Sequence, residues 1–93
     1  KYRGLKRKLK LIELKGGCCQ KCGYKKNIAS LTFHHTNPKL KLFSIQARNI
    51  SNYNFDKVLV EAKKCELLCH NCHHETHYPN LDLKKLKKKF DIT

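Results

Sequence analysis

The chain has 93 residues, which suits one small domain with a limited hydrophobic core and excludes a large multidomain protein. It carries 21 Lys and Arg against 7 Asp and Glu, so its formal net charge of +14 favours a polyanionic partner such as nucleic acid. A merely solvated basic surface and an acidic membrane surface are the weaker alternatives. Short apolar runs and no recognisable signal peptide predict no membrane span and an intracellular, cytoplasmic location, where six cysteines favour metal ligation over disulfides.

The N-terminal segment has the apolar spacing of an amphipathic helix over residues 5–15. One face carries Leu5, Leu9 and Ile12, flanked by Leu11 and Leu14. Gly16-Gly17 is expected to end the helix, as glycine does at helix C-termini.

The middle of the chain predicts two strands and a second helix. Residues 31–35 favour extended backbone, and a second short strand is expected near Leu42 to Ile45. Capping residues in 51–54 and Asp56 in a first turn predict a helix that ends at about Lys64.

The C-terminal third predicts a short strand over residues 66–68, followed by a helix over 70–78 that stops before Pro79. From Leu83 onward the chain is rich in lysine, and either a helix or a frayed end fits this pattern. Three short strands among several helices predict an α+β fold.

Two CxxC pairs indicate a structural zinc site. A CxxC turn supplies two thiolates, and two such turns complete tetrahedral coordination. The predicted zinc ligands are Cys19, Cys22, Cys69 and Cys72. Cys18 and Cys65 are left over, and Cys65 is expected to be a buried apolar residue.

Histidines at helical spacing indicate a second metal site. His73 and His77 are four residues apart, so they share a helical face and can reach one ion. His74 points elsewhere, and His70 with His74 is a competing pair. His34 and His35 are adjacent on the predicted strand, so one can bind a metal while the other faces elsewhere as a base.

These motifs together resemble the HNH endonucleases, the ββα-metal nucleases, and in particular the small zinc-containing HNH proteins of phages. The matching stretches are Cys19-x2-Cys22, residues 31–35 and 67–73 with His77. The resemblance implies one HNH nuclease domain over 1–93, with a ββα-metal core at about 16–78. A basic helix (1–15) and a Lys-rich tail (79–93) flank that core.

The resemblance also implies roles for the histidines. His34 corresponds to a metal ligand, His35 to the general base, His73 to the helix ligand and His77 to an accessory ligand or phosphate contact. The middle Asn of the HNH signature, which commonly holds the base in place, is replaced here by Lys64. Asn71 and the asparagines of the loop before residue 55 are the other asparagines nearby.

The implied activity is hydrolysis of DNA phosphodiester bonds, by nicking or double-strand cleavage, with 5′-phosphate and 3′-hydroxyl ends. Imidazole has an ordinary pKa of about 6.5 and is mostly neutral above pH 7, which suits a general base. The expected cofactors are a structural Zn²⁺ and a catalytic Mg²⁺ or Mn²⁺, and imidazole ligands also suit Ni²⁺, Co²⁺ or Zn²⁺.

The basic segments are expected to bind phosphates without reading bases. The candidate DNA contacts lie in residues 1–10 and 84–89, and they are Arg3, Lys6, Arg7, Lys8, Lys10, Lys84, Lys85, Lys87 and Lys88. The expected partner is double-stranded DNA, with a homodimer or a phage packaging partner left open. The alternative functions are a non-catalytic zinc-finger module that binds nucleic acid and an accessory protein of phage packaging or assembly.

Overall fold

The computed structural model describes residues 2–92 and shows a small α+β protein, which confirms the predicted class. The helices and strands are α1 (Arg3–Leu14), β1 (Leu31–His35), α2 (Ala47–Asn52), α3 (Phe55–Lys63), β2 (Cys65–Cys69), α4 (His70–His77) and α5 (Leu83–Lys89). Short 3-10 turns lie at Ile28–Ser30, Pro38–Leu40 and Pro79–Leu81. Lys1, expected among the phosphate contacts, and Thr93 lie outside the described residues.

The sheet consists of β1 and β2 in antiparallel pairing, with His34 opposite Glu66 and His35 opposite Cys65. Within residues 2–92, the expected strand near Leu42 to Ile45 is absent, so that prediction was wrong. The backbone N–H of Leu42 donates instead to the side chain of Glu61 on α3. This hydrogen bond holds the segment against a helix rather than against the edge of β1.

The core lies between the sheet and helices α1, α2 and α3. Its most deeply buried apolar residues are Leu11, Ile50, Val58, Leu67 and Leu68. Val58 and Ala62 form the buried apolar stripe of α3. Burial alternates along β1, so Phe33 and His35 face the interior while His34 is half-buried.

Helix α1 packs through a different face from the one that its leucines predicted. Leu5 and Leu9 remain 47% and 49% exposed, whereas Gly4 lies against α2, where an added Cβ would meet the carbonyl oxygen of Ala47 at 3.4 Å. The guanidinium of Arg7 donates to the carbonyl oxygens of Ile50 and Tyr53 at 3.0 and 2.9 Å. These contacts rotate the apolar stripe of α1 partly into solvent.

The structure agrees with the predicted end of the N-terminal helix and with one of the two structures expected for the Lys-rich C-terminal segment. Gly16 and Gly17 have φ angles of +96° and +79° and follow the end of α1. The Lys-rich segment forms α5, capped by the Asp82 carboxylate, which decides between the two structures left open for it. No helix within residues 2–92 is long and apolar enough to cross a membrane.

Candidate metal centres and catalytic cleft

The four predicted cysteines come together at the junction of the 19–22 turn with the end of β2. Their sulfur atoms all lie within 4.8 Å of one another, and Sγ of Cys22 is 3.6 Å from Sγ of Cys69. Two sulfurs bound at about 2.3 Å to one tetrahedral zinc lie about 3.8 Å apart. The cluster is therefore compatible with a structural zinc ion, which would join the N-terminal turn to β2 and α4.

Each CxxC turn directs backbone N–H groups at its first cysteine. The N–H of Cys22 lies 3.5 Å from Sγ of Cys19, and the N–H of Cys72 lies 3.4 Å from Sγ of Cys69. Burial alone would raise the pKa of Cys19, but backbone hydrogen bonds, the largest from Cys22, lower it to about 6. The site thus favours one thiolate before any metal is bound, which suits a zinc ligand.

Cys18 and Cys65 lie outside this cluster. Burial raises the pKa of the Cys65 thiol to about 11, so it stays protonated. All six cysteines belong to the described part of the chain, and none of them forms a disulfide there.

A second cluster joins β1 to α4. His34, His73 and His77 each offer a ring nitrogen, and these nitrogens lie within 4.8 Å of one another. The Nε2 atoms of His73 and His77 are 3.2 Å apart. Nitrogens bound at about 2.05 Å to one tetrahedral ion are about 3.3 Å apart, so this donor set fits a divalent metal.

The electrostatics of the cluster favour neutral imidazoles. Burial, followed by repulsion from His77, lowers the pKa of both His34 and His73. Neutral imidazole is the form that binds metal. His74 lies outside the cluster and contacts the ring of Tyr78.

The histidine cluster borders a cleft of about 380 Å³. His34, His35, His73 and His77 all line it, together with Lys41 and Gln46. His34 and His35 occupy opposite sides of β1, yet the cleft reaches both side chains.

His35 has a partner that the sequence analysis missed. Its Nε2 lies 2.7 Å from Oε2 of Glu61, which is 1% exposed. The available signal was an acidic residue on the apolar face of α3, three residues after Val58. Lys64, which the HNH resemblance places at the position of the signature Asn, donates to Oε1 of Glu61 at 3.0 Å and to the carbonyl oxygen of Leu40 at 3.0 Å.

The nine basic residues suggested as DNA contacts fall into two groups. Arg3, Lys6, Lys10, Lys84, Lys85, Lys87 and Lys88 are exposed. Arg7 binds carbonyl oxygens at the end of α2, and Lys8 donates to the carbonyl oxygen of Ile28 at 2.9 Å. Burial lowers the pKa of Lys8. Arg7 and Lys8 therefore hold the fold together in this structure.

Comparisons with protein-family models, with curated proteins and with solved structures gave no significant match.

Proposed function

We propose that this protein is a metal-dependent DNA endonuclease of the HNH, or ββα-metal, type. The observation that carries the proposal is the shared cleft: three metal-competent imidazoles and a fourth, separately held imidazole line one opening. The chain around it has a formal net charge of +14, which suits a phosphodiester substrate. The four-cysteine cluster would hold zinc and fix β2 and α4, and thereby the histidines, in position.

The proposed catalytic ion is held by His34, His73 and His77. A divalent ion bound there would act as a Lewis acid toward the phosphate and the leaving oxygen. Three imidazoles are softer donors than the oxygen ligands that Mg²⁺ prefers. We therefore expect Mn²⁺, Co²⁺, Ni²⁺ or Zn²⁺ to support cleavage better than Mg²⁺.

His35 is proposed as the general base. It borders the cleft beside the histidine cluster. Its Nε2 atom is hydrogen-bonded to Oε2 of Glu61, which leaves Nδ1 as the second ring nitrogen. A neutral imidazole in this position can take a proton from the attacking water. Lys41, which lines the same cleft, can contact a phosphate oxygen, and the exposed lysines of α5 can hold the flanking backbone without reading bases.

The test is cleavage of supercoiled plasmid at low salt by the zinc-loaded protein, with Mn²⁺, Co²⁺, Ni²⁺, Mg²⁺ or EDTA. We expect nicking with a borderline metal ion, no cleavage in EDTA and loss of cleavage in His35→Ala. DNA binding by His35→Ala should remain within about twofold of wild type, because the charged surface is unchanged.

The matched control is His74→Ala, which removes a histidine of the same helix outside the metal cluster. It should cleave like wild type. DNA binding without cleavage under every metal ion would contradict the proposal and favour a non-catalytic zinc-finger module.

A further inference from the structure

A buried carboxylate lies directly behind the imidazole of His35. Glu61 is 1% exposed and His35 is 9% exposed, and the two side chains meet at 2.7 Å. We propose that Glu61 is a positioning residue, which holds His35 as the tautomer with the proton on Nε2 and leaves Nδ1 as the nitrogen that faces the cleft. The proposal rests on the nuclease function above, in which His35 accepts a proton from water.

The other partners of Glu61 decide the direction of its hydrogen bond with His35. The N–H of Leu42 donates to Oε2 at 2.9 Å, and the ammonium of Lys64 donates to Oε1 at 3.0 Å. Burial would raise the pKa of Glu61, but these two donors and His35 lower it to about 2. The carboxylate is therefore ionised and can only accept hydrogen bonds, so Nε2 of His35 carries the proton.

The remaining ring nitrogen of His35 is in contact with solvent. Nδ1 has no hydrogen-bond partner within residues 2–92, while every fully buried side-chain nitrogen or oxygen of these residues has one. Nδ1 is therefore not fully buried, and the solvent space that His35 lines is the cleft. An unprotonated nitrogen at this surface is what a general base requires.

Glu61 also has a structural connection that the test must separate from the positioning role. Through Lys64, which donates to the carbonyl oxygen of Leu40, it ties α3 to the segment that precedes residue 42. A merely structural Glu61 would act through this tie and through the hydrogen bond that it accepts from the N–H of Leu42. Lys64→Met removes the tie through Lys64 and leaves the hydrogen bonds of Glu61 with His35 and Leu42, so it is the matched control.

The experiment combines the tautomer of His35 with cleavage kinetics. Two-bond ¹H–¹⁵N correlation spectra of zinc-loaded wild type should show Nδ1 of His35 unprotonated and Nε2 protonated. In Glu61→Leu this preference should be lost, and kcat should fall at least about tenfold while KM for DNA stays within about twofold. Glu61→Gln keeps an acceptor oxygen, so it should keep the tautomer and recover part of kcat. Lys64→Met should keep the tautomer, because the N–H of Leu42 still donates to the Glu61 carboxylate, and it should lose less of kcat than Glu61→Leu.

Three results would overturn the inference: a wild-type His35 with its proton on Nδ1, a folded Glu61→Leu with wild-type kcat, or an equal loss of kcat in Lys64→Met. If Glu61→Leu does not fold, the inference is still tested by the tautomer of His35 in wild type and by the tautomer and kcat of Glu61→Gln. A wild-type protein that never cleaves DNA contradicts the nuclease function. The spectrum then tests by itself whether Glu61 sets the tautomer.

Discussion

The Nε2 atoms of His73 and His77 lie 3.2 Å apart on successive turns of α4, and His34 of β1 contacts both rings. This separation is close to that of two nitrogens on one metal ion. Burial lowers the pKa of His73, which favours the neutral imidazole that binds metal. Because these three rings lie close enough to share one ion, we expect each of them to contribute to the affinity for a divalent metal.

Replacing His73 by Ala should abolish the exchangeable metal site and spare the zinc. We expect the affinity for Co²⁺ or Ni²⁺ to fall at least about 100-fold, because loss of an outer partner alone costs about 10- to 100-fold. Calorimetric titration of zinc-loaded protein gives the affinity, and elemental analysis gives the zinc content. His74→Ala is the control and should bind like wild type. Unchanged Co²⁺ affinity in His73→Ala would exclude this cluster as the site.

The four-cysteine cluster should be required for stability. Cys22 is exposed, so Cys22→Ser removes a ligand without removing core packing. We expect less than one bound zinc per chain and a clearly lower melting temperature. A loss of even about 2 kcal/mol lowers the melting temperature of a domain this small by about 8–16 °C.

Circular dichroism with and without a zinc chelator measures this effect. Cys18→Ser, outside the cluster, should keep both the zinc and the chelator-sensitive melting temperature. A chelator that leaves the wild-type melting temperature unchanged would contradict a structural zinc.

DNA affinity should depend on salt through the exposed lysines of α5. Changing Lys84, Lys85, Lys87 and Lys88 together to Gln should reduce the slope of log affinity against log salt by up to about 3.6, at about 0.9 for each phosphate that the variant no longer neutralises. Fluorescence anisotropy with a labelled duplex at several salt concentrations measures the slope. The matching Lys→Arg variant keeps the charge and should keep the slope. An unchanged slope in the Gln variant would mean that other residues bind the phosphates.

The sequence predicted those parts of the site that depend on local spacing. The four-cysteine cluster follows from two tight CxxC turns, and the pair of His73 and His77 follows from the helical repeat. The pair of His35 and Glu61 spans 26 positions, so no local pattern could join them. The prediction of a strand at 42–45 was wrong because it too ignored a distant partner. The N–H of Leu42 donates to Glu61 on α3, so the segment lies against this helix and does not pair with a strand.

The buried face of α1 also could not be predicted from the local sequence pattern. Its leucine stripe predicts one buried face, but the absence of a side chain at Gly4 and the carbonyl oxygens at the end of α2 that bind Arg7 favour another. A six-residue helix such as α2 has too few turns to show a periodic signal, and Ile50 is its one buried residue. Sequence patterns thus located the cysteine and histidine clusters, whereas tertiary contacts decided which face of α1 is buried.

Glu61 should make the stability of the fold depend on pH in the acid range. The pKa of Glu61 is lowered from 4.5 to about 2 in the folded protein, so the unfolded chain binds a proton first as the pH falls. The stabilisation by Glu61 is therefore complete above about pH 4.5, the unfolded value, and is lost progressively as the pH falls toward 2. Glu61→Gln removes this ionisation and should cost about 1–3 kcal/mol at pH 7, the usual cost of leaving buried partners unsatisfied.

The measurement is the difference in unfolding free energy between wild type and Glu61→Gln, from urea titrations at each pH with saturating zinc. Acid release of zinc affects both proteins and largely cancels in this difference. The difference should shrink as the pH falls from about 4.5 toward 2. Glu66→Gln, on the neighbouring strand, is the control and should give no such change in the same window. A difference that does not shrink between about pH 4.5 and 2 would mean that the folded protein does not keep Glu61 ionised to lower pH than the unfolded chain, which would contradict an ionised carboxylate behind His35.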